Sequence, residues 1–314
     1  MAPSTNKIQI FVHRLGSTLV LWTIVLVALF APNATVAQSA FLIIVCLLGT
    51  IAYREYTLMV FKASPPLLCY AATLAGLVLL AWEVASNWQI PPRLTDPAPP
   101  IAEAGAADVV HMTFISTSGL HLTLVPTVLF LWLALAKLKS LGTLSLTALS
   151  LTLFGWFYVF WLLLFIVRIY FSPGGSGTWL LLYFILVTKF SDLGAYLVGS
   201  LVGRHKMAPR ISPGKTWEGF AGALATSLLI SLLTVSLAGN ELAMLRGGHA
   251  IILGLLMGGM AVAGDLVESL IKRETQTKDS GTIFPGIGGC LDLIDSLLFN
   301  APIFYLYFRL AIVT

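Results

Sequence analysis

Three carboxylates near the C-terminal end of the chain are the residues best suited to chemistry. Asp292 and Asp295 are three positions apart and therefore share one face of a helix. Asp265 lies on the preceding apolar stretch, and the glycine-rich turn at 285–289 allows the chain to bring the two aspartates back toward it. Because an unpaired charge inside a membrane costs roughly 2.5 to 3.5 kcal/mol per residue, we expect a cation beside them.

Basic side chains are concentrated in two segments around these carboxylates. On the stretch that carries Asp265, the side chains of Glu268, Ser269 and Lys272 share its side of the helix. Hard oxygen ligands beside lysine and arginine are typical of Mg²⁺ bound with the phosphates of a nucleotide. The second segment, 203–219, combines four positive charges with prolines and glycines, which favours polyphosphate binding. It is not a P-loop, because the required upstream glycine and the preceding strand are missing.

The composition predicts an integral membrane protein. Of the 314 residues, 58% are hydrophobic and only 10% are charged, which excludes a soluble domain. The fold class predicted is an all-α polytopic bundle of about nine transmembrane helices, with an uncleaved first helix. Two domains are expected: 1–120, with the first helices and a Pro-rich acidic external connector at 86–115, and the catalytic membrane domain 121–314. The predicted spans are 15–31, 38–52, 66–85, 121–137, 143–167, 179–202, 216–239, 248–271 and 290–312, of which the second is short enough to be re-entrant or tilted.

The distribution of lysine and arginine predicts the orientation. Most of these residues fall on alternate loops, including both basic segments, and the positive side of a membrane protein is usually cytoplasmic. We therefore expect the N-terminus inside, the C-terminus outside and the site facing the cytoplasm. We place the protein in a bacterial inner membrane. The three cysteines lack the spacing of a disulfide framework or a zinc site.

A gapped signature covers about residues 185–300. Its spacing resembles that of the phosphatidate cytidylyltransferase family, whose members are also called CDP-diacylglycerol synthases. The matching positions are Ser269, Lys272, Arg273, Lys278, Asp279, Gly281, Phe284, Pro285, Gly288, Gly289, Asp292 and Asp295, with an upstream block of Ser191, Asp192, Ala195, Tyr196, Gly199, Ala208, Pro209, Ile211, Ser212, Pro213, Lys215, Thr216, Glu218 and Gly219. Three positions depart from the pattern: Ile287 replaces a histidine, Leu293 replaces an arginine, and Cys290 replaces an aliphatic residue.

The resemblance implies transfer of a cytidylyl group from CTP to phosphatidic acid, which yields CDP-diacylglycerol and pyrophosphate. It also implies that Asp265, Asp292 and Asp295 hold one Mg²⁺ or a pair of cations, the second an ion such as K⁺. Members of the family often form homodimers. The catalytic set implied is Asp265, Lys272, Asp292 and Asp295, and the substrate-binding set is Asp192, Ser212, Lys215, Thr216, Glu218, Ser269, Arg273, Lys278, Asp279, Gly288 and Gly289.

Three alternatives stay open at this point. One is a CTP-dependent enzyme that acts on another lipid phosphate or on a polyprenol. Another is a lipid-binding pseudoenzyme, which the replacements at Ile287 and Leu293 favour. The third is a cation-coupled transporter, which would also place carboxylates inside a helix bundle but predicts internal repeats that the sequence does not show. No nucleic-acid partner is expected.

Overall fold

The computed structural model describes residues 7–62, 65–87, 128, 146–172, 177–284 and 288–313. In the first helix, the burial of side chains is described only for Gly16 and from residue 19 onward. Helices dominate this part of the chain. Its only strands form a two-stranded hairpin on one side of the bundle. The elements are α1 (Lys7–Leu29), α2 (Ala34–Phe61), α3 (Leu67–Asn87), α4 (Leu146–Trp156), α5 (Leu162–Tyr170), α6 (Gly177–Val202), β1 (Lys206–Ala208), β2 (Ser212–Thr216), α7 (Trp217–Ala238), α8 (Gly248–Glu274) and α9 (Cys290–Phe308).

The prediction of an all-α polytopic membrane protein is confirmed. Within the described residues, seven helices are long and apolar enough to cross a membrane. A π-helical turn, Phe157–Trp161, joins α4 and α5 into one of them, and α1 contributes the shorter apolar stretch Leu19–Leu29. The predicted span 121–137, nearly all of the connector and the domain boundary at 120 lie outside the described residues.

The second predicted span is shorter than the helix that the structure shows. It was placed at 38–52, yet α2 runs to Phe61 as one 28-residue helix. The prediction stopped before Arg54 and Glu55 because charged residues usually mark the end of a span. Arg54 is indeed exposed, but the Glu55 side chain is buried inside the protein, where it accepts hydrogen bonds from the last long helix.

Helix α3 and the α4–α5 unit run in the same direction. Near their first turns, Cys69 Sγ lies 3.7 Å from Thr152 Oγ1. Near their last turns, Arg168 Nε lies 2.9 Å from Glu83 Oε1.

Small residues let α6, α7 and α8 approach one another closely. A Cβ atom added to Gly222 on α7 would lie 2.6 Å from the side chain of Val198 on α6, and one added to Gly254 on α8 would lie 2.9 Å from the Leu228 backbone on α7. Close backbone approach of this kind is the usual way in which helices associate inside a membrane. Helix α9 returns antiparallel to α8, so that the end of α8 and the beginning of α9 lie side by side with the hairpin.

Candidate active site

Three carboxylates meet between α8 and α9. Asp265 and Glu268 from α8 and Asp295 from α9 each place one oxygen within 4.8 Å of the others. We call these residues the acidic trio. Glu268 is 1% exposed and Asp295 is 5% exposed, whereas the Asp265 side chain is 45% exposed. The trio is thus buried on one side and open to ligands on the other.

The donor set of the trio fits a hard divalent cation. Carboxylate oxygens are the ligands that Mg²⁺ prefers, and it takes only a few of them while keeping bound waters. In addition, the Oε1 atom of Glu268 is buried and has no hydrogen-bond partner among the described residues. A buried oxygen of this kind needs a partner, and a cation held by the trio would provide one.

The trio differs from the set that the sequence analysis predicted to bind metal. That set was Asp265, Asp292 and Asp295, but Asp292 lies outside the group. Its carboxylate accepts hydrogen bonds from the backbone N–H of Gly289 at 2.7 Å and of Ser280 at 3.2 Å, so it caps the first turn of α9. Glu268 joins the trio instead, because it lies one turn after Asp265 on the same face of α8.

Two lysines flank the trio. Lys272 Nζ lies 3.2 Å from Glu268 Oε2 and 2.8 Å from Asp292 Oδ1, and therefore connects the trio to the start of α9. Lys215 Nζ, from β2, lies 3.0 Å from Asp265 Oδ2 and donates to the carbonyl of Val262 at 2.9 Å. Both lysines are mostly buried, so their charges act in a medium that screens them less than water does.

A third lysine, which is partly buried, lies next to Asp295. Lys189 Nζ on α6 donates to Ser296 Oγ at 2.9 Å and lies 3.2 Å from Asp192 Oδ2. The Ser296 hydroxyl in turn donates to Asp192 Oδ2 at 2.8 Å. The predicted residue Asp192 therefore faces the beginning of α9, and its charge is offset by a cation that belongs to the chain itself.

The hairpin of β1 and β2 carries Lys215 to the trio. Its strands pair antiparallel, with Lys206 opposite Thr216 and Ala208 opposite Ser212. Arg273 holds the hairpin against the end of α8, since its Nε donates to the carbonyl of Ile211 at 3.0 Å. The exposed cations of the hairpin lie at this same end of the bundle and are Arg204, Lys206 and Arg210.

Several predicted substrate residues support the architecture of the site. Thr216 caps α7, because its hydroxyl accepts the N–H of Gly219 at 3.1 Å. Glu218 accepts N–H groups of Arg204 and His205 and lies 2.6 Å from His205 Nδ1, so it orders the hairpin. Ser269 hydrogen-bonds Asp265 at 3.4 Å.

The loop between α8 and α9 contains the remaining predicted residues. Lys278 and Asp279 are exposed there. Gly288 has a φ of +121°, which favours glycine, and its backbone pairs with that of Phe284. Ile287 lies outside the described residues. Leu293, which stands where the family has an arginine, packs against the apolar core.

Glu55 and Tyr158 lie beside the site but were not identified by the sequence analysis, and both come from the N-terminal half of the described bundle. Glu55 contacts the first residues of α9. Tyr158, on the π-helical turn, is 4% exposed, and its hydroxyl has no hydrogen-bond partner among the described residues. That hydroxyl is close enough to Asp295 and Glu268 to interact with them electrostatically. The only available signal in the sequence was a charged residue at the end of an apolar run in the case of Glu55.

These features define an integral membrane protein whose acidic, lysine-flanked site suits a divalent cation and a polyphosphate. Residues 13–311 match the model of the family described as "Cytidylyltransferase family". The chain belongs to this family, which confirms the resemblance inferred from the signature.

Two of the three relatives described next carry a name that agrees with this assignment. The chain is 42% identical over 134 residues to "Uncharacterized protein YnbB" of Escherichia coli (strain K12), which covers 43% of this chain and 44% of that protein. It is 43% identical over 134 residues to "Phosphatidate cytidylyltransferase" of Haemophilus influenzae, covering 42% and 46%. It is 35% identical over 201 residues to the protein of the same name from Staphylococcus aureus (strain COL), covering 60% and 76%. The matched region thus spans less than half the length of the first two relatives.

Proposed function

We propose that the protein is a phosphatidate cytidylyltransferase, which transfers CMP from CTP to phosphatidic acid and releases pyrophosphate. The acidic trio with its flanking lysines is the observation that carries this proposal. Membership of the cytidylyltransferase family and the names of the Haemophilus and Staphylococcus relatives support it.

The reaction suits a site without an activated nucleophile. A phosphate oxygen of phosphatidic acid forms a bond to the α-phosphorus of CTP, and the bond from that phosphorus to the bridging oxygen of the β-phosphate breaks. The phosphate monoester is already an anionic nucleophile, so the protein must align two anions and offset the charge that develops on the leaving pyrophosphate. No serine or cysteine has to be deprotonated.

Different residues of the site would bind the metal, bind the phosphates and position the lysine. Asp265, Glu268 and Asp295 would hold Mg²⁺, which supplies Lewis acidity at the phosphates and neutralises their charge. Lys215 and Lys272 add positive charge on either side of the trio, where it favours binding of the triphosphate and the lipid phosphate. Asp292 holds Lys272 in place and caps α9.

The position of the site suits one soluble and one membrane-bound substrate. The trio lies where α8 ends and α9 begins, beside the exposed cations of the hairpin and the exposed Arg273 and Lys278. CTP would approach from the aqueous side, while the acyl chains of phosphatidic acid stay in the bilayer. We propose that this end faces the cytoplasm at a bacterial inner membrane, with the N-terminus inside, the C-terminus outside and the protein assembled as a homodimer.

A second cation such as K⁺ is part of the proposal on the Asp192 side of Asp295. Asp192 and Ser296 offer oxygens there, and the Lys189 ammonium binds both. A K⁺ ion would have to share these oxygens with the Lys189 ammonium, which already supplies positive charge there.

Labelled CTP tests the reaction. The purified protein is mixed in detergent with phosphatidic acid, Mg²⁺ and CTP that carries ³²P at either the α or the γ position. We expect α-label in the organic phase and γ-label in pyrophosphate, with Asp265→Asn inactive. Incorporation of γ-label into a polyprenol would identify a kinase, and α-label on polyprenyl phosphate alone would identify a different lipid substrate. Binding of phosphatidic acid without transfer of either label would identify a pseudoenzyme.

A further inference from the structure

A buried carboxylate from the N-terminal half of the chain contacts the beginning of the last membrane helix. Glu55, on α2, is 3% exposed. Its Oε1 accepts the backbone N–H of Cys290 at 3.0 Å, and its Oε2 accepts that of Leu291 at 2.8 Å. The hydroxyl of Ser280 donates to the same Oε2 at 3.3 Å. Glu55 thus caps α9 across a sequence separation of more than 230 residues.

The charge of Glu55 is stabilised by the helix that it caps. Its hydrogen-bond partners among the described residues are backbone N–H groups at the N-terminus of α9 and one hydroxyl. The first N–H groups of a helix have no partner within the helix, and the helix dipole favours an anion beside them. A carboxylate at this position is therefore acceptable inside the protein without a lysine or arginine.

The loop before α9 is shaped around this carboxylate. A Cβ atom added to Gly289 would lie 2.6 Å from Glu55 Oε2, and one added to Gly281 would overlap Glu55 Oε1. Both glycines thus leave the space that the side chain of Glu55 fills. The close fit fixes where the loop ends and where α9 begins.

The contact continues from Glu55 into the acidic site. The Ser280 hydroxyl that binds Glu55 also accepts the N–H of Asp292 at 3.3 Å, and the N–H of Ser280 donates to the Asp292 carboxylate. Asp292 binds Lys272 at 2.8 Å, and Asp295 enters the trio one turn later on α9. The direction in which both aspartates point depends on where the first turn of α9 lies.

We infer that Glu55 is a positioning residue for the acidic site, an inference that rests on the proposed function of that site. By fixing the start of α9, Glu55 holds Asp295 opposite Asp265 and Glu268, and holds Asp292 against Lys272. The N-terminal half of the chain is therefore required for the geometry of the site, although the family signature lies wholly in the other half.

The affinity for Mn²⁺, measured by electron paramagnetic resonance on the purified full chain in detergent, tests this role without requiring turnover. We expect Glu55→Ala to weaken Mn²⁺ binding by about tenfold or more, the usual effect of losing a group that orients metal ligands. Glu55→Gln keeps one acceptor oxygen and should lie between Ala and the wild type. Glu83→Gln is the matched control: Glu83 is equally buried on α3 but pairs with Arg168 at the other end of the bundle. It should lower thermal stability and leave the Mn²⁺ affinity unchanged.

Ser280→Ala gives a second, milder variant in case Glu55→Ala does not fold. It removes the hydroxyl that connects Glu55 to Asp292 and leaves Glu55 in place. We expect a smaller loss of Mn²⁺ affinity, severalfold, with nearly normal thermal stability. If the Glu55 variants that fold, and Ser280→Ala, bind Mn²⁺ as tightly as the wild type, Glu55 has no positioning role.

The result can be separated from the proposed function. A wild type that forms CDP-lipid while the variants at Glu55 and Ser280 behave like Glu83→Gln would overturn the inference alone. A wild type that binds Mn²⁺ in a manner dependent on Glu55, but makes no CDP-lipid, would overturn the proposed reaction and leave the inference standing.

Discussion

Replacement of Glu268 by glutamine distinguishes two sets of metal ligands: the acidic trio, and the set Asp265, Asp292 and Asp295 predicted from the sequence. If Asp265, Glu268 and Asp295 hold the cation, Glu268→Gln removes one of three anionic ligands from a site where all lie within 4.8 Å. If Asp292 were the third ligand, the same change would spare the cation. Glutamine has nearly the same shape as glutamate, so the change is chiefly one of charge.

The expected effect on the metal-free protein follows from the distances. At 4.8 Å, the upper limit of the separations within the trio, and an effective dielectric constant of about 20, two carboxylates repel each other by about 3.5 kcal/mol, so Glu268 is disfavoured by about 7 kcal/mol through its two neighbours. Its attraction to Lys272 at 3.2 Å is worth about 5 kcal/mol on the same scale. Water around the half-exposed Asp265 weakens its part of the repulsion. Metal-free Glu268→Gln should therefore be as stable as the wild type, or more stable by up to about 2 kcal/mol.

Thermal unfolding in EDTA and in excess Mg²⁺ measures both effects. Wild type should gain about 2.7 kcal/mol when Mg²⁺ reaches 100 times its dissociation constant, and Glu268→Gln should gain little. Asp292→Asn is the matched control, because it removes the charge that binds Lys272, keeps an oxygen that can cap α9, and spares the trio. It should be less stable by about 2 kcal/mol in EDTA and should keep most of its response to Mg²⁺. If Glu268→Gln were stabilised by Mg²⁺ as the wild type is, and Asp292→Asn were not, the trio would not be the set of metal ligands.

Two further substitutions test groups beside the trio. Lys215→Met removes the ammonium group next to Asp265, so the KM for CTP should rise by about tenfold or more, whereas Lys206→Met, on the exposed strand of the same hairpin, should change it little. Equal kinetic effects of the two would show that Lys215 contributes only general positive charge. Tyr158→Phe removes a buried hydroxyl that has no hydrogen-bond partner in the described part of the chain, so thermal stability should not fall, while kcat/KM for CDP-lipid formation should fall if that hydroxyl contacts a bound substrate. Unchanged kcat/KM would exclude Tyr158 from the site.

Much of the fold was predictable because the membrane imposes a simple rule on the sequence. Long uncharged runs identify helices, and seven spans of this kind are found within the described residues. Glu55 marks the limit of the rule: a charged residue was taken as the end of the second span, but hydrogen bonds from α9 keep it buried inside a longer helix. Its partners on α9 are more than 230 residues away, and no local pattern reveals such a contact.

The site was predictable as a group of residues but not in its internal pairing. The spacing of Asp265, Glu268 and Lys272 indicates one face of α8. The glycines after α8 indicated that α9 returns beside it, and α9 does lie there. Which aspartate of α9 joins the trio depends on the first turn of that helix. Asp292 is close enough to that turn to cap it, and this leaves Asp295 to face α8. Capping competes with metal binding for the same carboxylate, and only the three-dimensional arrangement decides the outcome.

The location of a bound Mn²⁺ ion tests the central claim most directly. The measurement is anomalous X-ray diffraction from crystals of the protein grown with Mn²⁺ and CTP. The account predicts an anomalous peak within bonding distance of carboxylate oxygens of Asp265, Glu268 and Asp295, beside the phosphates of the nucleotide. A peak bound to Asp292 and not to Glu268, or a nucleotide bound away from these carboxylates, would contradict it.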